Sequence, residues 1–256
     1  MPHLEGRVAL VTGGGRGIGR GICLVLARAG ADVAINYHSN DAAAEEVGQQ
    51  VRALGRRAIT LKGDVAVRAD CEAMVRRALD EFGFVDILVN NAGIGATAIG
   101  RPFVADTKPE DFRRLMTTHA IGSFHMCQLL VPQMRERPRG DVVMISSVAA
   151  QTHGATGGTY SAAKSALEAL AYTLAKEERQ HAIRVNVVAP GLVETDMGEA
   201  LVKFTRGVKD IHELERSQPF GFLCQPEDIA NAVAYLVGDE GRYVTHQRIT
   251  VSGGGF

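Results

Sequence analysis

The chain has 256 residues, of which 46% are hydrophobic, and its formal net charge is -1. This length and apolar content predict one well-developed core, so we expect a single domain over residues 1–256. The 28 basic residues nearly balance the 29 acidic ones and form no basic stripe, which argues against nucleic-acid binding. A small-molecule enzyme is the favoured class.

The cysteines and the chain start indicate a soluble protein of a reducing compartment. Cys23, Cys71, Cys127 and Cys224 lie far apart without a C-x-x-C pair, and the histidines lack the H-E-x-x-H spacing of a metal site. The first residues contain no apolar leader core, and no apolar run approaches the roughly 18 residues of a membrane span. We therefore expect a cytoplasmic protein with reduced thiols, no metal and no membrane contact.

Short apolar runs alternate with longer amphipathic stretches. The runs cover residues 8–11, 33–35, 58–61, 87–89, 142–145, 185–188 and 249–251, and each is typical of a strand buried on both faces. Stretches such as 16–29, 41–54 and 70–82 have helical spacing of apolar residues. The pattern predicts an α/β fold, a Rossmann-type doubly wound parallel sheet of about seven strands with helices on both faces. One irregular polar stretch, 194–226, is predicted to be a substrate flap.

A glycine-rich turn, Thr12-Gly-Gly-Gly-Arg-Gly-Ile-Gly19, follows the first strand and opens a helix. Glycines allow a pyrophosphate to approach the amides at the positive end of the helix. Such turns also occur without a ligand, but the setting between strand and helix favours dinucleotide binding. The spacing of Gly13, Gly17 and Gly19 resembles that of the short-chain dehydrogenase/reductase family.

The end of the second strand suggests which dinucleotide binds. An acidic residue there would accept a hydrogen bond from a 2′-hydroxyl and repel a 2′-phosphate, but this chain has His38 and Ser39. Arg16 in the glycine turn is available to a phosphate, whereas Asp41 is the nearest carboxylate that could reach back. NADP(H) is therefore expected rather than NAD(H).

Tyr160 and Lys164 lie one helical turn apart on one face, with their Cβ atoms about 5–6 Å from each other. A nearby ammonium stabilises a phenolate and lowers its pKa, so Tyr160 is predicted to be the acid/base and Lys164 the group that tunes it. The pair alone is a common surface pattern. Ser147, at the end of the strand at 142–145, matches the family's Ser/Tyr/Lys spacing and is expected to donate to the substrate oxygen.

Further matches extend the resemblance over nearly the whole chain. The expected cofactor-binding positions combine Arg16, His38 and Ser39, which follow from charge, with those that the resemblance implies: Gly13, Gly17, Ile18, Gly19, Asp64, Val65, Asn91, Ala92, Gly93, Tyr160, Lys164, Pro190, Gly191, Val193 and Thr195. The resemblance implies that Asp64 and Val65 flank the adenine. It also implies that Val193 and Thr195 hold the carboxamide.

His119 departs from the pattern, because the family usually has asparagine at this position. The resemblance implies that the backbone carbonyl there holds a water in a proton relay, and any residue supplies a carbonyl. The imidazole either joins the catalytic group or is a satisfied core histidine. His153 and Gln151 are specificity candidates, with a solvent-facing loop as the equal alternative for His153.

The leading hypothesis is a reductase or dehydrogenase that transfers a hydride between the nicotinamide and a carbonyl or secondary alcohol, and that resembles 3-oxoacyl-(acyl-carrier-protein) reductases. The runner-up is a secondary-alcohol dehydrogenase for a cyclic or steroid-like substrate, and a third alternative is a protein that senses NADP without turnover. Relatives assemble through the long helices expected at 109–134 and 158–180, so the resemblance implies a homodimer or homotetramer.

Overall fold

The computed structural model describes residues 3–254, and the two residues at each end of the predicted domain lie outside this range. Seven parallel strands form one sheet in the order β3-β2-β1-β4-β5-β6-β7. They are β1 Val8–Val11, β2 Asp32–Tyr37, β3 Ala58–Lys62, β4 Ile87–Asn90, β5 Gly140–Ile145, β6 Ile183–Pro190 and β7 Arg248–Val251. The predicted Rossmann-type sheet is confirmed.

The central strands are apolar runs because helices cover both faces of the sheet. Every residue of β1, β4, β5 and β6 is buried. The two edge strands differ from the prediction of strands buried on both faces, since β3 and β7 are mainly half-buried. Each edge strand has a neighbour on one side only, which leaves its side chains closer to solvent.

Helices pack in two layers. They are α1 Gly17–Arg28, α2 Asp41–Ala53, α3 Arg68–Phe82, α4 Pro109–Met116, α5 Gly122–Met134, α6 Ala149–Thr152, α7 Gly158–Glu178, α8 Asp196–Arg206 and α9 Pro226–Val237. One core cluster joins α1, α2 and α9 to the sheet, and a second joins α3, α5 and α7 to it. Within residues 3–254 no helix combines the length and apolarity needed to cross a bilayer.

Two predicted segments need correction. The helix expected over 109–134 is interrupted by a π-helical turn, Thr117–Ile121. The stretch 194–226 is not irregular, because α8 and the 3₁₀ helix Ile211–Ser217 occupy much of it. Val202, Ile211 and Leu223 form a small core beneath them. The mixture of polar and exposed apolar residues, among them Met197 and Phe204, hid this helical content from the sequence pattern. The role of the segment as a flap stays a prediction.

Candidate functional site

The site lies where the strand order reverses, between β1 and β4. In doubly wound sheets this reversal opens a crevice at the carboxyl ends of the strands. The glycine turn after β1 meets the loop after β4 there: a Cβ built on Gly13 would lie 3.1 Å from Asn91 Nδ2 and 3.0 Å from Ala92 Cα. Gly13 and Gly17 have positive φ angles of 63° and 50°, which favour glycine.

The start of α1 is open to an anion. Arg16 is the N-cap residue of α1, and its side chain makes no cap hydrogen bond. The first backbone N–H groups of the helix are therefore not capped by that side chain. A Cβ on Gly19 would collide with Gly13 O, so the turn is too tight for a side chain there. Ile18 packs against the core and holds the turn on the sheet. These features fit a bound pyrophosphate.

Two buried polar residues that the sequence reading missed hold this crevice in shape. Thr12 Oγ1 accepts hydrogen bonds from Asn91 N at 2.9 Å and Ala92 N at 3.0 Å. Asn36 Oδ1 accepts from Gly13 N at 3.1 Å. Asn36 was detectable as a polar residue inside the apolar β2 run, because a buried amide there requires partners.

A second group of predicted residues lies at the ends of β2 and β3. His38 Nε2 is 3.8 Å from Asp64 Oδ2, and both groups are solvent-accessible. Ser39 is exposed, whereas Val65 is buried. Asp41 is engaged by Lys62 Nζ at 3.1 Å, a cation that the sequence reading did not single out. The nearest carboxylate after β2 is thus already paired.

The loop after β6 closes the other side of the glycine turn. A Cβ on Gly17 would lie 3.3 Å from Thr195 Cγ2, and Thr195 caps α8 by accepting from Gly198 N at 3.1 Å. Val193 is buried, and its backbone forms an isolated parallel β-bridge with Cys224.

Three more of the predicted cofactor-binding residues lie around this loop. Pro190 ends β6, and Gly191 approaches Ser252 so closely that a Cβ there would lie 2.9 Å from Ser252 Cβ. Arg16 is exposed on the rim and lies 3.5 Å from Asp196 Oδ2.

Ser147, Tyr160 and Lys164 converge beyond β5. The Ser147 hydroxyl accepts from Ala149 N at 3.2 Å and, from beside the phenol, acts to lower the pKa of Tyr160. Lys164 is buried, donates from Nζ to Ile145 O at 2.7 Å, and lies 5.7 Å from the Tyr160 ring centroid. The two hydroxyls form a proton-donating pair, with a cation beside them.

The pKa of Tyr160 does not follow the expectation from sequence. Burial of the phenol raises its pKa to about 12, and the Ser147 hydroxyl opposes this only in part. Burial also lowers the pKa of Lys164 to about 7, while the Glu168 carboxylate acts in the opposite direction. Loss of hydration of the phenol is the largest influence on its pKa, and it acts against the lowering that the ammonium was expected to cause.

His119 is brought into the site by the π-helical turn. Its ring meets the Tyr160 ring edge-on at 5.3 Å between centroids. Its Nε2 lies 2.9 Å from Ile94 O, while Nδ1 is buried and finds no hydrogen-bond partner within residues 3–254. Burial, and then Lys164, hold its pKa well below the ordinary value, so the imidazole is neutral. Its carbonyl, assigned by resemblance to a relay water, accepts from Ser123 Oγ at 2.7 Å.

The described residues hold no cluster of three or more histidine, cysteine or acidic side chains suited to a metal. Gln151 and His153 are exposed, and His153 has a left-handed backbone with φ 48°. They lie in and just after α6, between Ser147 and the helix that carries Tyr160.

Comparison with known proteins gives a consistent result. The family model described as short chain dehydrogenase matches residues 7–205. The chain is 36% identical to an uncharacterised oxidoreductase of Methylorubrum extorquens, over 99% of both chains. It is 35% identical to the 3-oxoacyl-[acyl-carrier-protein] reductase of Staphylococcus aureus, over 96% of both chains. It is also 34% identical to the 7alpha-hydroxysteroid dehydrogenase of Escherichia coli, over 99% of this chain and 95% of that one.

A solved structure agrees closely with the fold. A 7 alpha-hydroxysteroid dehydrogenase complexed with NADH and 7-oxo glycochenodeoxycholic acid superposes with a TM-score of 0.89 and 33% identity. The match covers 99% of this chain and 95% of that one.

Proposed function

Because the chain belongs to the short-chain dehydrogenase/reductase family, whose members are nicotinamide-dependent oxidoreductases acting on CH–OH or C=O groups, we propose that it is an NADP(H)-dependent carbonyl reductase. The observation that carries this proposal is the meeting of Ser147, Tyr160 and Lys164 at the end of β5. When bound, the nicotinamide supplies or accepts the hydride. The chain supplies the proton and the geometry.

Tyr160 is the proposed acid. Since its pKa is raised to about 12, its hydroxyl keeps its proton at neutral pH, which is the state needed to protonate an alkoxide formed from a carbonyl. Ser147 donates to the same substrate oxygen, and Lys164 provides a positive charge when the phenolate forms. This protonation state favours the reductive direction.

The crevice at the strand reversal is the proposed dinucleotide site. The uncapped start of α1 and the tight glycine turn would hold the pyrophosphate. Asn91, Ala92 and Gly93 would support the nicotinamide side, and Thr195 its carboxamide. Arg16 and His38 would face the 2′-phosphate, because the residues after β2 carry no carboxylate before Asp41, which Lys62 engages.

A 3-oxoacyl thioester is the proposed substrate, on the strength of the 35% identity to a 3-oxoacyl-[acyl-carrier-protein] reductase. A cyclic or steroid-like secondary alcohol is the second candidate, favoured by the TM-score of 0.89 to a hydroxysteroid dehydrogenase. The two differ in the shape of the group beside Ser147, so a substrate panel separates them.

The chain is also proposed to form a homodimer or homotetramer. Apolar side chains on α4, the π turn and α5 are partly exposed, and a partner copy would cover them: Phe112, Ile121 and Phe124. Light scattering of the purified protein measures the assembly directly.

The test is stopped-flow oxidation of NADPH with 3-oxoacyl thioesters, cyclic ketones and oxosteroids. We expect turnover with at least one class, and Tyr160→Phe should lower kcat by about 10²–10⁴-fold while NADPH still binds. Tyr235→Phe on the outer side of α9 is the matched control and should keep full activity. NADPH binding without turnover of any carbonyl would instead identify a sensor protein.

A further inference from the structure

Three consecutive residues at the end of β5 are each held by a different charged side chain. Lys164 Nζ donates to Ile145 O at 2.7 Å. Ser146 Oγ donates to Glu168 Oε1 at 2.6 Å. Arg248 Nη2 donates to Ser147 O at 3.1 Å. The segment that presents the Ser147 hydroxyl is therefore fixed from α7 on one side and from β7 on the other.

Glu168 and Arg248 join these contacts into one network. Arg248 Nε donates to Glu168 Oε1 at 3.0 Å, and each side chain is only 9% exposed. Arg248 also donates to Thr250 Oγ1 within its own strand. The planar guanidinium contacts the carboxylate and the Ser147 carbonyl simultaneously, which a lysine ammonium on a flexible stem does not reproduce.

The burial of this pair needs a reason other than stability. Removing two charges from water costs free energy that their attraction and hydrogen bonds only roughly offset, so a buried ion pair contributes little net stability. Such a pair does constrain the groups that it contacts. Here these groups are the Ser147 carbonyl and the Ser146 hydroxyl. Lys164 lies one helical turn before Glu168 on α7, where the charge of the carboxylate acts on it without a direct salt bridge.

Glu168 also supplies negative charge to Lys164. The groups facing Lys164 are Tyr160 and Glu168 from its own helix and His119 from the π turn, with Arg248 behind Glu168. Tyr160 and His119 are neutral at pH 7, because one pKa is raised and the other lowered. Glu168 is therefore the acidic group in this set that opposes the loss of the Lys164 proton.

We propose that Glu168 and Arg248 are positioning residues of the active site: Arg248 sets the Ser147 backbone, and Glu168 opposes the loss of the proton from Lys164. This inference rests on the proposed function in that Ser147 and Lys164 act in catalysis. The two residues have separable tasks. Arg248 acts on geometry, and Glu168 acts on charge.

The charge task is tested with Glu168→Gln. Loss of a negative charge makes the first proton of the Tyr160 and Lys164 pair easier to remove, so the alkaline limb of carbonyl reduction should move to lower pH by about one unit. Glu178→Gln is the matched control, since Glu178 is a buried carboxylate on the same helix that pairs with Arg135 at 2.8 Å. It should leave the limb in place whatever it does to stability.

The geometry task is tested with Arg248→Lys, which keeps the charge. We expect kcat to fall by about ten-fold or more, with the alkaline limb unmoved and faster hydrogen exchange of the amides after Ser147. Full kcat in Arg248→Lys, or equal limbs in Glu168→Gln and Glu178→Gln, would overturn the proposal.

A readout without turnover keeps the two proposals apart. Titration of the Lys164 ε-carbon by NMR, assigned with Lys164→Arg, should give a lower pKa in Glu168→Gln than in the wild type or in Arg248→Lys. An inactive wild type with this shift would count against the proposed function and support the charge task. An active wild type with no shift would reject the charge task alone.

Discussion

The imidazole of His119 occupies the space beside Gly93 that a side chain there would need. A Cβ built on Gly93 would lie 2.9 Å from His119 Nδ1 and closer still to Cε1. Because the same ring packs edge-on against Tyr160, the loop after β4 and the proposed acid are separated by one imidazole. Gly93 and His119 therefore fit closely together, and position 93 has no room for a side chain while position 119 is histidine.

Gly93→Ala should destabilise the protein by about 1–3 kcal/mol through overpacking, and His119→Asn should relieve much of that cost in the double variant. The free energies of unfolding of the four proteins, measured in denaturant without cofactor, give the coupling. Gly154→Ala is the control, because a Cβ there meets nothing within 4 Å. Additive effects of the two substitutions would mean that the contact does not constrain the loop.

The fold could be predicted because its information is local. Parallel strands with covered faces are continuous apolar runs, so 8–11 and 142–145 were recognisable without any contact being known. The burial of the edge strands β3 and β7 was overestimated, because the order of the strands decides which of them lie at an edge. The helix α8 was missed because its sequence mixes polar and apolar residues, with Met197 and Phe204 exposed, and only the small core beneath it explains its stability.

The candidate site also contains contacts that the sequence predicts and contacts that depend on the tertiary fold. Tyr160 and Lys164 share a helix face, so their proximity follows from spacing alone. Arg248 lies 80 residues after Glu168 in the chain. The two residues meet because β7 lies beside β6 in the sheet, which the local sequence pattern does not predict. The direction of the Tyr160 pKa was also wrong from sequence, because burial depends on everything that surrounds the phenol.

Lys164 should make stability depend on pH. Its pKa falls from 10.5 in the unfolded chain to about 7 in the fold, so between these values the unfolded chain binds a proton that the folded one lacks. Stability therefore rises with pH across this window, with a slope of up to about 1.4 kcal/mol per pH unit from this group. Below pH 7 the full penalty of the buried charge is present.

Lys164→Met should remove that slope and abolish turnover. The variant should gain free energy of unfolding relative to wild type as pH falls from 10 to 7, and the difference should then level off. Lys176→Met, an exposed position on the same helix, should track the wild type at every pH. If the free energies of unfolding of Lys164→Met and wild type differ by the same amount at every pH, the pKa of Lys164 is not lowered in the fold.

The cofactor preference should depend on the rim cation Arg16. Arg16→Ala is expected to raise the Kd for NADPH about ten-fold and to leave that for NADH unchanged, because the lost contact is with the 2′-phosphate. His38→Asp should shift preference toward NADH by adding a hydroxyl acceptor and repelling the phosphate. Arg20→Ala is the control, since Arg20 lies one turn further along α1 and binds Gln50. Equal losses for both cofactors in Arg16→Ala would place the arginine at the pyrophosphate instead.

Thr12→Val should damage the crevice without touching the reacting groups. The substitution keeps the shape of a fully buried side chain but removes the oxygen that accepts from the half-buried Asn91 N and Ala92 N, at a cost of about 1 kcal/mol for each hydrogen bond lost. Because that oxygen joins the two loops of the proposed dinucleotide site, NADPH affinity should fall together with the free energy of unfolding. Thr205→Val is the matched control, as its hydroxyl donates only to Leu201 O on the exposed side of α8. If Thr12→Val lowers stability while NADPH affinity stays at the wild-type value, the hydrogen bonds hold the ends of β1 and β4 together but do not shape the cofactor site.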